Sequence, residues 1–223
     1  PVTARSSSTP YRDVLTLGLF ASVLSAAMIQ GGLGALLPYM GEDMPMSYTL
    51  ESLHITGLAV GGGLASALAE ALRRRLGRGR VLVLGAASCV AGSVLLAAAP
   101  APVVSAAAMV FIGFGLTSTL IAGQVLLAAL HGARGARMIG ELNVSYSVGA
   151  LLATAALPAL AASVLGWRGF AAVPAVLLAL VVLPLEVEDR VSVQAERADE
   201  IRAIAADGLP DGLNVWFTGA EGF

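Results

Sequence analysis

The chain contains no lysine; all 13 of its basic residues are arginine. Charge of either sign is scarce, at 13% of 223 residues, while 57% are hydrophobic. A soluble globular domain carries about 25% charged residues, so this chain cannot cover a water-facing surface in the ordinary way. With a mean hydropathy of +0.82, it reads as an integral membrane protein before any motif is considered. The single cysteine, Cys89, excludes an internal disulfide. The only imidazoles, His54 and His131, stand far apart, so no metal-ligand cluster forms and no cofactor is called for. There is no nucleophile–base set, phosphate loop or pair of intramembrane aspartates, so the chain does not read as an enzyme. Glycine runs such as "GGGLA" (61–65) lie inside an apolar stretch and read as packing glycines.

What is present is long apolar runs. A spanning helix needs about 20 mostly apolar residues, and six candidates occur, at 14–40, 50–72, 81–99, 103–130, 138–165 and 169–185. The first is too long for a secretory signal, and more spans follow it. The breaks have their own chemistry: acidic "GEDMPMSYTLES" (41–52), "PAP" (100–102), basic "HGARGAR" (131–137) and "GWR" (166–168). If six helices alternate, Arg5, Arg12, Arg73, Arg74, Arg75, Arg78, Arg80, Arg134 and Arg137 all fall on one side. Arg168 falls on the other, with Glu42, Asp43 and Glu51. Positive residues stay cytoplasmic, which predicts a cytoplasmic N-terminal tail (1–12), a six-helix transmembrane bundle (13–185) and a cytoplasmic linker or surface helix (186–223). In that last segment Ala198, Ile201 and Ala205 recur at helical spacing.

The densest charge, "RRRLGRGR" (73–80), holds five arginines. Each arginine at mid-bilayer costs about 2.5–3.5 kcal/mol, so five would cost about 12–18 kcal/mol, and the stretch must lie in water or among headgroups. It has no interleaved aromatic residue and is tethered between two spans, so it is not a nucleic-acid patch.

The spans differ in polarity. The sixth, "FAAVPAVLLALVVLPL", has no polar side chain and suits lipid. The first carries Gln30 beside glycines, the fourth Thr117 and Gln124, and the fifth Glu141, Asn143 and Tyr146. Polar groups are costly in hydrocarbon and normally face a bundle interior or a wet cavity. Gln30, Thr117, Gln124, Asn143 and Tyr146 are therefore the cavity candidates. Glu141 reads either as a protonatable group at a cavity mouth or as an i,i+4 partner of Arg137. His54 is expected at the outer interface, and His131 in an inner loop. "AAMIQGGLG" (26–34) and "AAMVFIGFG" (107–115) are weakly similar. Matched Gly-broken helices in two halves point to a 3+3 inverted repeat and to a binding site; chance in an Ala/Gly-rich chain is the alternative.

Over about residues 11–185 the chain resembles the N-terminal half of a major facilitator superfamily transporter. The resemblance rests on the inside N-terminus, the basic loops after spans two and four, and "GWR" opening span six. "GGLGALLPYM…SYTLESLHITGLAVGGGLAS" and "GARGARMIGELNVSYSVGALL" resemble bacterial members, including sugar-permease-like ones. Against the family's G-x-x-x-D-R-x-G-R-R loop, Arg75, Gly77 and Arg78 match. Glu70 stands at the first Gly, Arg74 at the Asp, and Gly79 at the last Arg, followed by Arg80. In the family the Asp helps lock an inner gate. Here Glu70 could substitute by pairing with Arg73 or Arg74, or could form only a headgroup-level ion pair. The family's drug/proton antiporters tend to carry an Arg in span four; this chain has Phe111 near that position, so their proton-coupling machinery does not carry over.

The resemblance implies alternating-access transport of a small solute, with or without proton coupling, in a bacterial inner membrane. The expected partners are membrane lipid, the solute and a second six-helix half, from the same gene product or another copy; no nucleic acid is expected. Full transporters of this type have two such bundles, so the chain is expected to be part of one. The rival reading is a non-transport six-span scaffold or assembly subunit, in which the polar residues would scatter among helix contacts.

Overall fold

The computed structural model describes residues 14–182. The two tails, the helix expected around Ala198–Ala205 and the end of the sixth apolar run lie outside them. The described chain forms α1 (Val14–Gly31), α2 (Leu33–Asp43), α3 (Tyr48–Leu76), α4 (Arg78–Ala97), α5 (Pro102–His131), a 3-10 turn (Gly132–Arg134), α6 (Gly135–Ala161) and α7 (Gly166–Val182). Four helical runs are long and apolar enough to cross a membrane: Val14–Gly31, Tyr48–Leu76, Arg78–Ala97 and the double run Pro102–Ala161. The shorter α7 is also apolar.

Local chemistry sets the breaks. The first expected span is two helices, interrupted at Gly32, which stays near helical conformation (φ −92°, ψ −2°). Leu36 N–H still reaches the Gly32 carbonyl at 2.8 Å, so α2 continues from α1 with only a short interruption. Ser47 is extended and its hydroxyl accepts the Leu50 N–H at 3.4 Å, starting α3. Pro102 occupies the first turn of α5, where its missing N–H costs nothing. The basic stretch 73–80 is not an extended loop. Helix α3 runs to Leu76, Gly77 turns the chain at φ 84°, and α4 begins at Arg78. Only glycine takes that φ freely.

The helices form two rows. In the front row α5 packs between α3 and α1, and α1 between α5 and α6. Behind them α4 packs on α5 and α7, and α7 on α1. Directions follow from who meets whom. His54 meets Ser105 and Gly61 meets Val110, so α3 and α5 run parallel. Gly149 meets Leu24 and Thr154 meets Gly31, so α1 and α6 run parallel. Thr16 meets His131, so α1 and α5 are antiparallel. Arg73–Arg80, Arg134 and Arg137 therefore gather at one end of the bundle, and Asp43 and Arg168 at the other.

Close approach needs small residues, since lipid tails supply no hydrophobic drive between helices. Helix α3 buries only His54, Gly57, Gly61 and Ala65. A Cβ on Gly61 would overlap the Val110 carbonyl, and one on Gly113 the Leu58 carbonyl. The rest of α3 is open, with Leu53, Ile55, Val60, Leu64 and Leu68 exposed. The main core runs through Met40, Leu96, Met109, Ile112 and Phe170; a second cluster holds Leu19, Leu82, Leu126, Met138 and Leu142.

Candidate functional site

The front row brings Gln30 and Tyr146 together. Gln30 lies at the end of α1, one residue before the Gly31–Gly32 interruption. Gly31 lets α6 approach: a Cβ there would overlap Ala150. Gly32 makes room for the Phe170 ring of α7. Ending α1 at Gly31 frees backbone carbonyls, and Thr154 of α6 reaches the Gly31 carbonyl at 3.4 Å while donating at 3.1 Å to Ala150 in its own helix. Tyr146 of α6 packs against both core clusters. Its hydroxyl donates to Oε1 of Gln30.

This contact uses the carbonyl side of the Gln30 amide. The two amide N–H donors make no hydrogen bond among the described residues, although Gln30 is half-buried. A buried amide group without a partner costs about 1–3 kcal/mol. The arrangement thus holds a pair of amide donors that no described residue satisfies.

The other cavity candidates do not join this pair. Thr117 faces α3, where its hydroxyl sits beside Gly62. Gln124 is half-buried and Asn143 exposed, and neither side chain is hydrogen-bonded within the described residues. Asn143 contributes only its backbone carbonyl, to the Ser147 hydroxyl at 3.0 Å.

The charged candidates lie at the arginine-rich end. Arg137 donates to Glu141 at 3.1 Å, the expected i,i+4 pair, with the Glu141 side chain 23% exposed. Glu70 pairs with Arg73 and Arg74 at once, at 2.7 and 2.6 Å. Arg73 approaches it two-pronged, through Nε and a terminal nitrogen. Both pairs lie within α3, so Arg74, at the family's Asp position, turns back onto its own helix. Arg75 and Arg78 make no ion pair within the described residues, and Gly77 supplies the turn.

Three interhelical ties were not legible as such. His54, expected at an interface, is fully buried. Its Nδ1 donates to the Leu50 carbonyl at 2.7 Å, and Nε2 lies 2.8 Å from the Ser105 hydroxyl. The signal available was its register with Gly57 and Gly61, one turn and two turns on. His131 ends α5 and lies 2.9 Å from the hydroxyl of buried Thr16. At the opposite end, Trp167 Nε1–H donates to Asp43 at 2.8 Å, and Arg168 reaches the same oxygen at 2.9 Å. Arg168 also stacks over the Trp167 ring, 4.4 Å from its centroid. Trp167 and, second, Arg168 hold the Asp43 carboxyl below the usual carboxylate range.

Apolar helices in two rows, with small residues where they touch, are the build of a multi-pass membrane protein. The family model of the Major Facilitator Superfamily matches residues 19–216, and the chain belongs to that family. Among solved structures, that of a D-xylose-proton symporter is similar, with a TM-score of 0.63 and 17% identity over 86% of this chain. At that identity the likeness speaks for the fold. This chain spans 52%, about half, of the symporter chain. No curated protein sequence matches it.

Proposed function

We propose that the chain is one six-helix half of a secondary transporter that moves a small polar solute across a bacterial inner membrane by alternating access. In this reading α1 and α2 together make the first crossing and α3 to α7 the other five, in a 3+3 inverted repeat. The helix directions and the gathering of arginines at one end support a cytoplasmic N-terminus. The second half supplies the opposite wall of the cavity and covers the open faces of α3 and α6. A half alone has no such wall.

The observation that carries the proposal is the Gln30 amide. Tyr146 fixes its carbonyl, and its two N–H donors are left for a hydroxyl-bearing solute. Gln124, half-buried, and Asn143, exposed, are further contacts once the halves close, while Thr117 sits in the α3–α5 contact. Glu141 is the candidate proton carrier, and Glu70 with Arg74, Arg75, Gly77 and Arg78 the candidate inner gate. Family membership and the symporter-like fold support a sugar-like solute and proton coupling as the first classes to test.

The test is uptake of labelled pentoses and hexoses into proteoliposomes holding the protein with its second half, under an imposed proton gradient. Accumulation of at least one solute is expected. Gln30→Leu should weaken apparent affinity by about tenfold, the worth of one to two neutral hydrogen bonds. An assembled protein that moves no solute would favour the scaffold reading.

A further inference from the structure

At the arginine-rich end, α3, α4 and α5 enclose a pocket of ≈ 360 Å³, separate from the Gln30–Tyr146 pair. Its mouth holds Arg73 and Arg78, its walls include Ala69, Val81 and Ile121, and Ser118 of α5 lines it farther in. From Ala65 to Arg73, both on its wall, α3 rises about 12 Å. The pocket is therefore longer than a headgroup and apolar along most of its length.

Two polar groups there have unused capacity. Arg78 is half-buried and makes no hydrogen bond or ion pair among the described residues. Ser118 is 3% exposed and likewise makes no hydrogen bond among them. The other buried hydroxyls among the described residues do: Thr119, the next residue, donates to the Gly115 carbonyl at 2.8 Å. A carboxylate, Glu70, also stands at the mouth. Its two oxygens are taken by Arg73 and Arg74, so the mouth stays net positive.

We infer that this pocket binds an anionic amphiphile. A carboxylate or phosphate head meets Arg78 and Arg73 by charge-assisted hydrogen bonds. The apolar body lies along α3 and α4, and where that body carries an ester carbonyl, as in a phospholipid, the carbonyl accepts a hydrogen bond from the Ser118 hydroxyl. Such a ligand has two sources: an acidic phospholipid of the surrounding leaflet, or a free medium-chain carboxylic acid. The inference does not depend on which solute the protein moves.

Ser66 lines the same pocket and is exposed, while the one native cysteine, Cys89, is buried. Ser66→Cys in the full chain, held in lipid nanodiscs, therefore gives a single maleimide-reactive site. Its labelling rate is compared in phosphatidylcholine, in phosphatidylcholine with phosphatidylglycerol, and in phosphatidylcholine with decanoate. Slowing by about threefold or more is expected at twice the dissociation constant, since only empty pockets react. Protection by phosphatidylglycerol alone assigns the site to lipid; protection by decanoate assigns it to free acids. Arg78→Gln should abolish protection, while Arg75→Gln, at the end of α3 across the Gly77 turn and outside the pocket lining, should leave it intact. Equal rates in all three mixtures, or equal effects of the two arginine variants, would overturn the inference.

Discussion

Asp43 illustrates how a single charge is made useful at a membrane edge. It ends α2, and it is held by the indole N–H and the guanidinium that open α7. Because the folded-state pKa is lowered, its stabilising contribution is present above the unfolded value of about 3.9. It is lost as pH falls through the lowered folded value. The tie between α2 and α7 should thus hold unchanged from neutral pH to about pH 5 and loosen only in stronger acid. Trp167 emission, read with Trp216, the chain's other tryptophan, replaced by Phe, should report that step, and Asp43→Asn should remove it. An Asp43→Asn protein with the same acid transition would refute the assignment. The residue types at this site could be read from sequence: "GWR" and the acidic 41–52 stretch were both evident as edge features. Their partnership was not, because 124 positions separate Asp43 from Trp167 and no local spacing couples them.

Helices are where the sequence spoke most clearly. Runs of apolar residues, Pro102 and the turn glycines predicted the α-helix ends that fall inside the described residues to within a few residues, except inside the first span and at 73–80. Those two exceptions share a cause. A glycine can interrupt a helix while leaving the chain nearly helical, as at Gly32, or can join two helices with no loop, as at Gly77. Composition alone does not separate these cases. Which glycines are packing contacts was equally hidden, since it depends on the neighbour. Gly61 and Gly63 are two residues apart, yet a Cβ on Gly61 overlaps α5 and one on Gly63 meets open space. Gly61→Val should destabilise the bundle by about 1–3 kcal/mol through overpacking. Gly63→Ala should be neutral, or stabilising by about 0.5–1 kcal/mol through helix propensity. Thermal unfolding in detergent of the two variants checks the contrast; equal losses would refute close α3–α5 contact at Gly61.

For the molecule as a whole, family membership could be read from the motifs, and the polar site only in part. Gln30 stood out because it is a lone amide among glycines, and Tyr146 because it is polar in a span; that the two meet required the α1–α6 packing. Thr117 and Asn143 carried the same sequence signal and lie elsewhere, since polarity in a span marks cost without giving direction. How little of α3 and α6 is buried also emerged only in three dimensions. In the proposed transporter the open row around Gln30 lines a water-filled cavity. The direct measurement is labelling of Gln30→Cys by a membrane-impermeant maleimide in proteoliposomes, beside Val94→Cys on the back row, exposed at the surface of α4. Rapid labelling is expected at position 30 and little at position 94, with protection at position 30 by a transported solute. Position 30 as unreactive as position 94 would contradict a water-filled cavity there.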